Sequence, residues 1–288
     1  MMDITDREFQ LLKELLFSLS GIEIAEDKQY LFTTRLIDLL ASEKCSSFGD
    51  LYRKLILPKS EHSRRLFVES MTTHESGFFR DGHPFRVFYE NILPSVSKLR
   101  AQQARFLPPR LRILSAGSSF GQEAYSIAIC IRRWLSGQSV FLPENVSILG
   151  IDISGKAIER AKNARYGDLE IGKNLSADDR RQFFNKQGER WALSDEIKKM
   201  VSFQRMSLDR SFDDIGKFDI IFCRNVIIYF PVDVRKRVVE QLHAALAPEG
   251  VLFLGSAESL FNICDLFKSV TVGETLYYKA VQTSDADA

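Results

Sequence analysis

The 288-residue sequence lacks clustered cysteines, a large net charge and any long hydrophobic run. Its four cysteines are scattered, which argues against a zinc cluster and against a disulfide framework. The formal net charge of +1 gives no field that would attract nucleic acid or a membrane surface. No apolar run approaches the roughly 18 residues of a membrane-spanning helix, and the first residues, M-M-D-I-T-D-R-E, are charged rather than signal-like. These absences predict a soluble cytoplasmic protein with no metal, no nucleic-acid partner and no membrane insertion.

The chain is long enough for one large domain or two smaller ones, and its patterns change near residue 110. Before that point they are helical. Thr5 and Glu8 are spaced as a capping box, ahead of an apolar stripe that ends at Gly21. Three more amphipathic helices are predicted, at 28–40, 48–57 and 60–71. We therefore predict a helical N-terminal domain over residues 1–75.

A polar, glycine-containing segment, Met71–Phe85, follows the helices and predicts a loop that leads into a short helix. Arg80 comes directly after the aromatic pair Phe78–Phe79, which should be buried, so we expect its guanidinium at the rim of a cleft. An ordinary surface salt bridge is the alternative. His83 precedes a proline at a turn and is expected to be structural. A linker segment over 76–110 ends in a basic, proline-containing stretch that places the domain boundary (Lys98, Arg100, Arg105, Pro108, Pro109).

The stretch 111–126, L-R-I-L-S-A-G-S-S-F-G-Q-E-A-Y-S, has the pattern of a strand, a glycine turn and a helix. An α/β sheet uses such a turn, here begun by Gly117, to present backbone N–H groups to a ligand. Ser119 and Gln122 stand where a dinucleotide fingerprint needs glycine, which disfavours a nicotinamide oxidoreductase. Glu123 would repel a pyrophosphate but suits a cationic or hydroxyl-bearing ligand. A purely structural glycine turn is the alternative.

Polar residues also stand at the carboxyl ends of two further predicted strands. Asp152 follows the strand Val146–Ile151, where a nucleoside-binding sheet holds ribose hydroxyls, because a carboxylate can accept from both vicinal hydroxyls. Asn225 follows the apolar strand Phe218–Cys223 and should line the same crevice. We therefore predict an α/β domain over residues 111–288.

A small antiparallel hairpin is predicted inside this domain, at about 184–206. This hairpin is predicted from three segments: the polar turn 186–189, the strand-like run W-A-L and the run Met200–Phe203. We expect the hairpin to be inserted in the α/β domain rather than to form part of its parallel sheet.

Five segments of the chain resemble the CheR-type chemotaxis receptor methyltransferases: F-F-R-D-G-H-P-F, S-F-G-Q-E-A-Y-S, G-I-D-I-S, F-D-I-I-F-C-R-N-V-I-I-Y-F and L-A-P-E-G-V-L-F-L-G-S-A-E-S. The resemblance covers about Thr5 to Ala280. It implies an all-α N-terminal domain and an α/β methyltransferase sheet that binds S-adenosylmethionine and carries a small antiparallel β-subdomain. It also implies methyl transfer to glutamate side chains of chemoreceptor signalling helices in bacterial chemotaxis, with S-adenosylhomocysteine as the other product.

The resemblance also assigns residues, position by position, to the cofactor and to the transferred methyl group. Arg80 and Tyr229 would lie nearest the methyl group and act in catalysis. The cofactor contacts that it implies are His74, Ser76, Arg80, Glu123, Asp152, Ser207, Leu208, Asn225 and Val226, to which we add Gly117 of the glycine turn.

Two departures from the family pattern bear on function. His74 stands where the family usually has asparagine, which predicts a pH-sensitive cofactor site. Relatives have a basic second helix that docks acidic receptor helices; here Lys28 and Arg35 remain, but Ile37–Asp38 fill places where basic residues would be expected. The expected partners are chemoreceptor helices and, at the β-subdomain, a receptor C-terminal peptide. The chain itself is expected to be a monomer.

The implied chemistry needs no general base, because an ionised glutamate is already a nucleophile. Attack on a sulfonium joins opposite charges into neutral products, so a partly desolvated site favours the transition state. The protein must supply alignment, and Arg80 can orient the acceptor carboxylate by charge-assisted hydrogen bonds. Two alternatives stay open: a methyltransferase of the same fold with another acceptor, and a regulatory module that binds the cofactor without turnover.

Overall fold

A computed structural model of the chain describes residues 3–104, 106, 108–138, 140–172 and 174–281. Arg105, assigned above to the linker, lies outside these ranges. The helices before residue 72 pack around a core of their own, which includes Leu12, Phe32 and Phe67. Their bounds are α1 (Asp6–Ser20), a 3-10 turn (Glu26–Lys28), α2 (Tyr30–Arg35), α3 (Ile37–Ser42), α4 (Phe48–Leu55) and α5 (Glu61–Met71).

Helix α1 begins and ends as its sequence predicts. The Thr5 hydroxyl accepts the N–H of Glu8 at 3.3 Å, and the Glu8 carboxylate accepts the N–H of Thr5 at 3.0 Å, so the capping box is confirmed. Gly21 has a φ of 72° and donates its N–H to Phe17 O. This left-handed residue ends the helix and turns the chain toward the cavity described below.

The single helix predicted over 28–40 is wrong, because α2 and α3 are separated at Leu36. The hydroxyls of Thr33 and Thr34 donate to Tyr30 O at 3.0 and 2.9 Å. Such bonds from a side chain back to the preceding turn bend helices. The break leaves Leu36 fully buried in the helical core.

Between this helical core and the first strand, the chain forms a nearly continuous helix, called the helical rod below, which packs against the sheet. It consists of α6 (His83–Val87), a π-helical turn (Phe88–Ile92) and α7 (Leu93–Gln103). Nδ1 of His83 lies 2.8 Å from Thr275 Oγ1, so this side chain ties the rod to a strand near the end of the chain.

The remaining elements form an α/β layer structure. In the described ranges its helices are α8 (Gln122–Ser136), α9 (Gly155–Asn163), α10 (Asp168–Ile171), α11 (Ala177–Phe183), α12 (Asp195–Lys198) and α13 (Val232–Ala245). The strands are β1 (Leu111–Ala116), β2 (Val146–Asp152), β3 (Arg165–Tyr166), β4 (Phe184–Gln187), β5 (Arg190–Leu193), β6 (Val201–Arg205), β7 (Phe218–Cys223), β8 (Leu246–Leu254), β9 (Phe267–Val272) and β10 (Thr275–Ala280).

Seven strands form the main sheet in the order β6-β2-β1-β7-β8-β10-β9. The first five are mutually parallel, and β10 runs antiparallel to both of its neighbours. Successive strand residues point to opposite faces. Ile113 and Ile220 therefore belong to the apolar cluster that contains α8, whereas Leu114 and Ile221 belong to the cluster that contains α13. Both faces of the sheet are thus covered, as parallel sheets require.

The predicted hairpin exists, but with other strands than expected. Strands β4 and β5 pair antiparallel across a two-residue loop, with Gln187 opposite Arg190, and β3 adds a third strand. The run Met200–Phe203 is not part of it: β6 pairs parallel with β2 at the edge of the main sheet, with Val201 beside Ile148. A parallel partner lies about 50 residues away in the chain and leaves no local turn signal.

The helical core and the sheet are joined at the start of α9. Glu69 of α5 accepts the N–H of Gly155 at 2.7 Å through Oε1, and it lies 3.4 Å from the N–H of Lys156. Ile153, just before α9, packs against the helical core. A carboxylate of α5 therefore satisfies backbone donors in the first turn of α9.

Candidate functional site

The carboxyl ends of β6, β2, β1 and β7 meet at one edge of the main sheet, and a cavity of about 410 Å³ lies against them. Residues of α2 and of the segment after α5 line its other side. This is where a doubly wound sheet places its ligands. The structure brings all the residues assigned from sequence to this cavity: His74, Ser76, Arg80, Gly117, Glu123, Asp152, Ser207, Leu208, Asn225, Val226 and Tyr229.

The glycine turn after β1 brings backbone against the cavity. Gly117 has a φ of +75°, and a Cβ on it would lie 2.4 Å from Val226 Cγ2, so only glycine fits. Its N–H donates to Ile151 O at 2.8 Å. Ser119 also has a positive φ, +49°, and donates its N–H to Asp152 Oδ2 at 2.8 Å. The turn is thereby fixed to the end of β2.

The Asp152 carboxylate, in a residue that is 7% exposed, accepts at both oxygens. Oδ2 accepts from Ser119 N–H at 2.8 Å and Oδ1 from Ser154 N–H at 2.9 Å. Burial raises the pKa of Asp152, and the two backbone hydrogen bonds oppose that shift. Each oxygen keeps a second lone pair, so a ligand with vicinal hydroxyls can donate to both.

Glu123, in the first turn of α8, is held by Arg224. Arg224 Nη1 donates to Glu123 Oε2 at 3.2 Å, and the hydroxyl of Ser115 donates to Oε1 at 2.9 Å. Burial raises the pKa of Glu123, while the charge of Arg224 opposes the shift. Arg224 Nη2 also donates to Asp81 Oδ2 at 2.7 Å and to Arg80 O at 3.1 Å. One buried guanidinium thus joins β7, α8 and the loop that carries Arg80.

Arg80 lies on the cavity wall, next to two aromatic residues that are buried as predicted, Phe78 and Phe79. Phe79 and Asp81 have φ values of +48° and +67°, so the chain turns sharply on both sides of Arg80. The Arg80 side chain is 32% exposed. Its Nη1 donates to Glu75 O at 2.7 Å, and its Nη2 lies 3.7 Å from the exposed Glu75 carboxylate. The guanidinium keeps donors for a ligand in the cavity.

The loop after β7 carries Asn225, Val226 and Tyr229 into the cavity wall. Asn225 has a φ of +59°, a left-handed conformation that asparagine tolerates better than most residues. Tyr229 is 37% exposed, and its carbonyl accepts the N–H of Glu23 at 3.1 Å. The loop is therefore tied to the segment between α1 and α2, on the opposite side of the cavity.

Three small or apolar residues complete the wall. Ser207 and Leu208 follow β6, whose exit is fixed by a 2.9 Å bond from Met206 N–H to Asp152 O. Ser76 lies in the segment between α5 and Arg80. The placement of Ser207 and Leu208 follows from the parallel pairing of β6 with β2, which brings the end of β6 beside Asp152.

His74 lies at the boundary between the helical core and the sheet. Its ring centroid is 5.0 Å from that of Phe120, and its Nε2 lies 3.0 Å from Thr72 Oγ1. Burial lowers the pKa of His74, whereas the charges of Asp152 and Glu69 oppose that shift. This histidine therefore favours its neutral form in the folded protein.

Arg35 and Lys28, the basic residues expected to guide a partner, both line the cavity. Arg35 is already engaged: its guanidinium donates to Met71 O at 2.8 Å and to Thr73 Oγ1 at 3.1 Å. It fixes the segment that leads to His74. Lys28 is exposed and leaves its charge available to a partner.

Sequence reasoning missed two residues that organise the site, Arg224 and Glu258. Arg224 stands beside Asn225 at the end of an apolar strand, and an arginine in that setting is itself a signal of a buried partner. Glu258 accepts backbone N–H groups of the Asn225 loop. It lies in the turn after β8, within the segment L-A-P-E-G-V-L-F-L-G-S-A-E-S that carries the family resemblance, but that segment alone does not reveal its contacts.

The donor set of the cavity fits a nucleoside that carries a charged or amino-acid group. The hydroxyls of Ser118 and Ser119 line the cavity, are buried and find no partner in the described part of the chain. Buried polar groups normally find one, so these are open to a ligand. Asp152 offers acceptors to ribose hydroxyls, and Glu123 adds a carboxylate nearby. The sheet order and this site together define a doubly wound protein with a nucleoside-binding site at the carboxyl ends of its parallel strands.

Comparison with known proteins gives the family. Residues 74–275 match the family described as CheR methyltransferase, SAM binding domain, and residues 7–72 match CheR methyltransferase, all-alpha domain. A chemotaxis protein methyltransferase of Vibrio anguillarum is 37% identical over 277 residues, 96% of this chain and 98% of that one. Chemotaxis protein methyltransferase 1 of Pseudomonas aeruginosa is 34% identical over 280 residues, 97% and 100% of the two chains. The chain belongs to the CheR methyltransferase family. The predicted family, fold class and cofactor, S-adenosylmethionine, are confirmed.

The described residues contain no candidate metal site and no candidate membrane-spanning helix. None of their helices is both long and apolar enough to cross a membrane. In the same ranges, no group of three or more histidine, cysteine, aspartate or glutamate side chains is arranged to hold a metal ion.

Proposed function

We propose that this chain transfers the methyl group of S-adenosylmethionine to glutamate side chains of chemoreceptor signalling helices, giving glutamate methyl esters in chemotaxis adaptation. The family and the relatives support a chemotaxis methyltransferase. The chemoreceptor helices and their glutamates are the acceptors that the family resemblance implies. The observation that carries the glutamate assignment is Arg80, whose partly exposed guanidinium lies on the wall of the cofactor cavity.

The proposed roles follow from what each side chain can donate or accept. Asp152 holds ribose hydroxyls, and the buried hydroxyls of Ser118 and Ser119 bind the remaining polar groups of the cofactor. When bound, S-adenosylmethionine supplies a methyl group activated by a positively charged sulfur. Arg80 orients the acceptor carboxylate by charge-assisted hydrogen bonds, and Tyr229 shapes the surroundings of the methyl group. The acceptor is already ionised, so no residue of the chain has to remove a proton.

Two features support a helical, negatively charged acceptor. Tyr30 of α2 and Ile228 of the 3-10 turn Ile227–Tyr229 line the cavity, are exposed at 58% and 44%, and can pack against a helix. Lys28 and Arg80 place positive charge in the same lining. We also propose that the chain acts as a monomer in the cytoplasm. A receptor C-terminal peptide would pair with the small sheet, where β4 is an outer strand and Asn185–Gln187 are exposed.

The alkali stability of the bond between the transferred methyl group and the acceptor tests the proposal. Methyl-labelled cofactor is incubated with the protein and helical signalling fragments of several chemoreceptors, and the product is then treated with mild alkali. A glutamate methyl ester releases volatile methanol, whereas N-methyl and aryl O-methyl groups survive. We expect volatile label that disappears when the acceptor glutamates are changed to alanine.

The other outcomes separate the alternatives. Label that is transferred but stays non-volatile contradicts the glutamate assignment and leaves a methyltransferase with another acceptor. Cofactor that binds without transfer to any fragment supports a regulatory module instead. Several receptors have to be tested, because Ile37–Asp38 on α3 make this side of the protein less basic than the family pattern.

A further inference from the structure

A buried carboxylate behind the cavity wall organises the loop that follows β7. Glu258 lies in the turn after β8, is 6% exposed and is absent from the residues that line the cavity. Its two oxygens accept from backbone N–H groups of two separate segments. The donors are Val226 and Ile227 at 2.8 Å and Ile228 at 3.4 Å to Oε1, and Asn225 and Gly255 at 2.7 Å to Oε2.

This donor set selects an ionised carboxylate. All five partners donate, and only an ionised carboxyl group accepts at both oxygens without presenting a proton. Hydrogen bonds from several N–H groups offset the cost of burying the charge. An arrangement in which consecutive N–H groups converge on one anion is otherwise seen at anion-binding turns. Here the anion belongs to the protein itself.

Other contacts reach the carbonyl groups of this loop, since Tyr229 O accepts from Glu23 N–H at 3.1 Å and Ile227 O accepts from Arg235 Nε at 3.2 Å, whereas Glu258 accepts from its N–H groups. Asn225 is left-handed, with a φ of +59°, and the 3-10 turn Ile227–Tyr229 that follows is a single turn long. If Glu258 were removed, the buried or partly buried N–H groups of Asn225, Val226 and Ile227 would lose this acceptor. Folded proteins avoid leaving buried N–H groups unpaired. The strand ends are also very close: a Cβ on Gly255 would lie 2.8 Å from both Asn225 Nδ2 and Glu258 Oε2.

We propose that Glu258 is a positioning residue of the cofactor site. It fixes the backbone that presents Asn225, Val226 and Tyr229 to the cavity and does not itself touch the cofactor. The inference concerns cofactor binding, so it holds whichever acceptor the enzyme methylates.

The variant Glu258→Gln tests this with little change in volume. Its amide keeps one acceptor oxygen, but the NH₂ group must face some of the five N–H donors, which leaves donors unpaired. We expect the dissociation constant of S-adenosylhomocysteine, measured by calorimetry, to rise about tenfold or more, as for loss of hydrogen bonds to a charged group. The amide resonances of Val226 and Ile227 should move upfield, while those of β2 stay in place.

Asp219→Asn is the matched control. Asp219 lies at the other end of β7, is also 6% exposed, pairs with Arg100 and accepts the N–H of Arg112 at 2.7 Å. Removing its charge should lower thermal stability and leave the dissociation constant within about threefold of the wild-type value, because its contacts lie at the opposite edge of the sheet.

The comparison decides the proposal. If both variants lose stability but only Glu258→Gln loses affinity and shifts the loop amides, Glu258 positions the site. Equal affinities in the two variants would show that Glu258 is merely structural and would overturn the proposal. Should Glu258→Gln fail to fold, Glu258→Asp gives the same comparison, because it keeps the charge but withdraws it by one methylene. A wild-type affinity in that variant would likewise count against a positioning role.

Discussion

The two sides of the cavity are built differently. On the sheet side, side chains and backbone are fixed to one another: Asp152 holds the glycine turn, Arg224 holds Glu123, and Glu258 holds the Asn225 loop. On the helical side, the side chains of Tyr30 and Lys28 are exposed.

On the proposed function, the difference matches what each side has to recognise. A cofactor is the same molecule in every turnover, and a preorganised site saves the cost of ordering side chains on binding. A protein acceptor arrives as a surface, and exposed aromatic and aliphatic side chains can adapt to it. Arg80 combines features of both sides. Its backbone carbonyl accepts from the buried Arg224 guanidinium, whereas its own guanidinium is partly exposed.

A substitution at Arg80 should have different effects on acceptor recognition and on cofactor binding, the functions proposed for the two sides of the cavity. We expect Arg80→Ala to lower methyl transfer by about a hundredfold, because on the proposed mechanism the acceptor carboxylate loses the group that aligns it. Cofactor affinity should fall far less. Single-turnover transfer and calorimetry measure the two effects.

Arg86→Ala is the matched control, since Arg86 is an exposed arginine six residues further along on α6. It should transfer methyl at the wild-type rate. A folded Arg80→Ala enzyme with normal turnover would remove Arg80 from the mechanism and leave its bonds to Glu75 as its only role.

Asp152 tests the sheet side alone. Asp152→Asn keeps the shape but weakens acceptance from ribose hydroxyls, so we expect a loss of about ten- to a hundredfold in S-adenosylhomocysteine affinity. In thermal denaturation, the roughly 2.7 kcal/mol that a ligand adds at about 100 times the wild-type dissociation constant should fall to between about 1.4 and about 0.4 kcal/mol.

The control for this change is Asp179→Asn, which removes another buried carboxylate, one that pairs with Arg133 on the far side of α8. Its thermal shift with ligand should be retained even if its own melting temperature drops. An undiminished shift in Asp152→Asn would exclude the ribose role.

His74 should give the smallest effect, on pH dependence. Because burial lowers its pKa from an ordinary value of 6.5, the folded state favours neutral His74. The stability it contributes is present above pH 6.5 and is lost as pH falls through the lower folded pKa. The charged groups around His74 shift its pKa in both directions: Asp152 and Glu69 raise the pKa, whereas Arg160 and Arg35 lower it.

His74→Asn should therefore flatten the decline of melting temperature and of cofactor affinity as the pH falls below 6.5. His62→Asn, at an exposed position of α5, should leave the decline unchanged. Identical profiles for wild type and His74→Asn would show that another group carries the acid sensitivity.

Much of the site could be predicted from sequence because its residues stand at strand ends. Gly117, Asp152 and Asn225 each follow an apolar strand, and parallel strands bring those ends to one edge. Arg80 was found through the two aromatic residues before it. These signals are local, and the strand or helix beside each one fixes where it goes.

The errors and omissions share a different cause. Glu258 is 33 residues from Asn225, and Arg224 is 101 residues from Glu123, so nothing near either one in sequence announces its partner. The strand β6 was paired with the wrong neighbour for the same reason. The break at Leu36 depends on threonine hydroxyls that can bond either to solvent or to the preceding turn, and periodicity does not distinguish the two.

The bond from Glu69 to Gly155 limits how this protein can be divided or recombined. A fragment that begins after α5 would lose the acceptor for the first N–H of α9, two residues beyond Ile153, which itself packs against the helical core. Asp152, which we propose to hold the ribose hydroxyls, lies immediately before that junction. Grafting the helical segment of one relative onto the sheet of another would preserve the cofactor site only if the donor segment brings an acid to the same place.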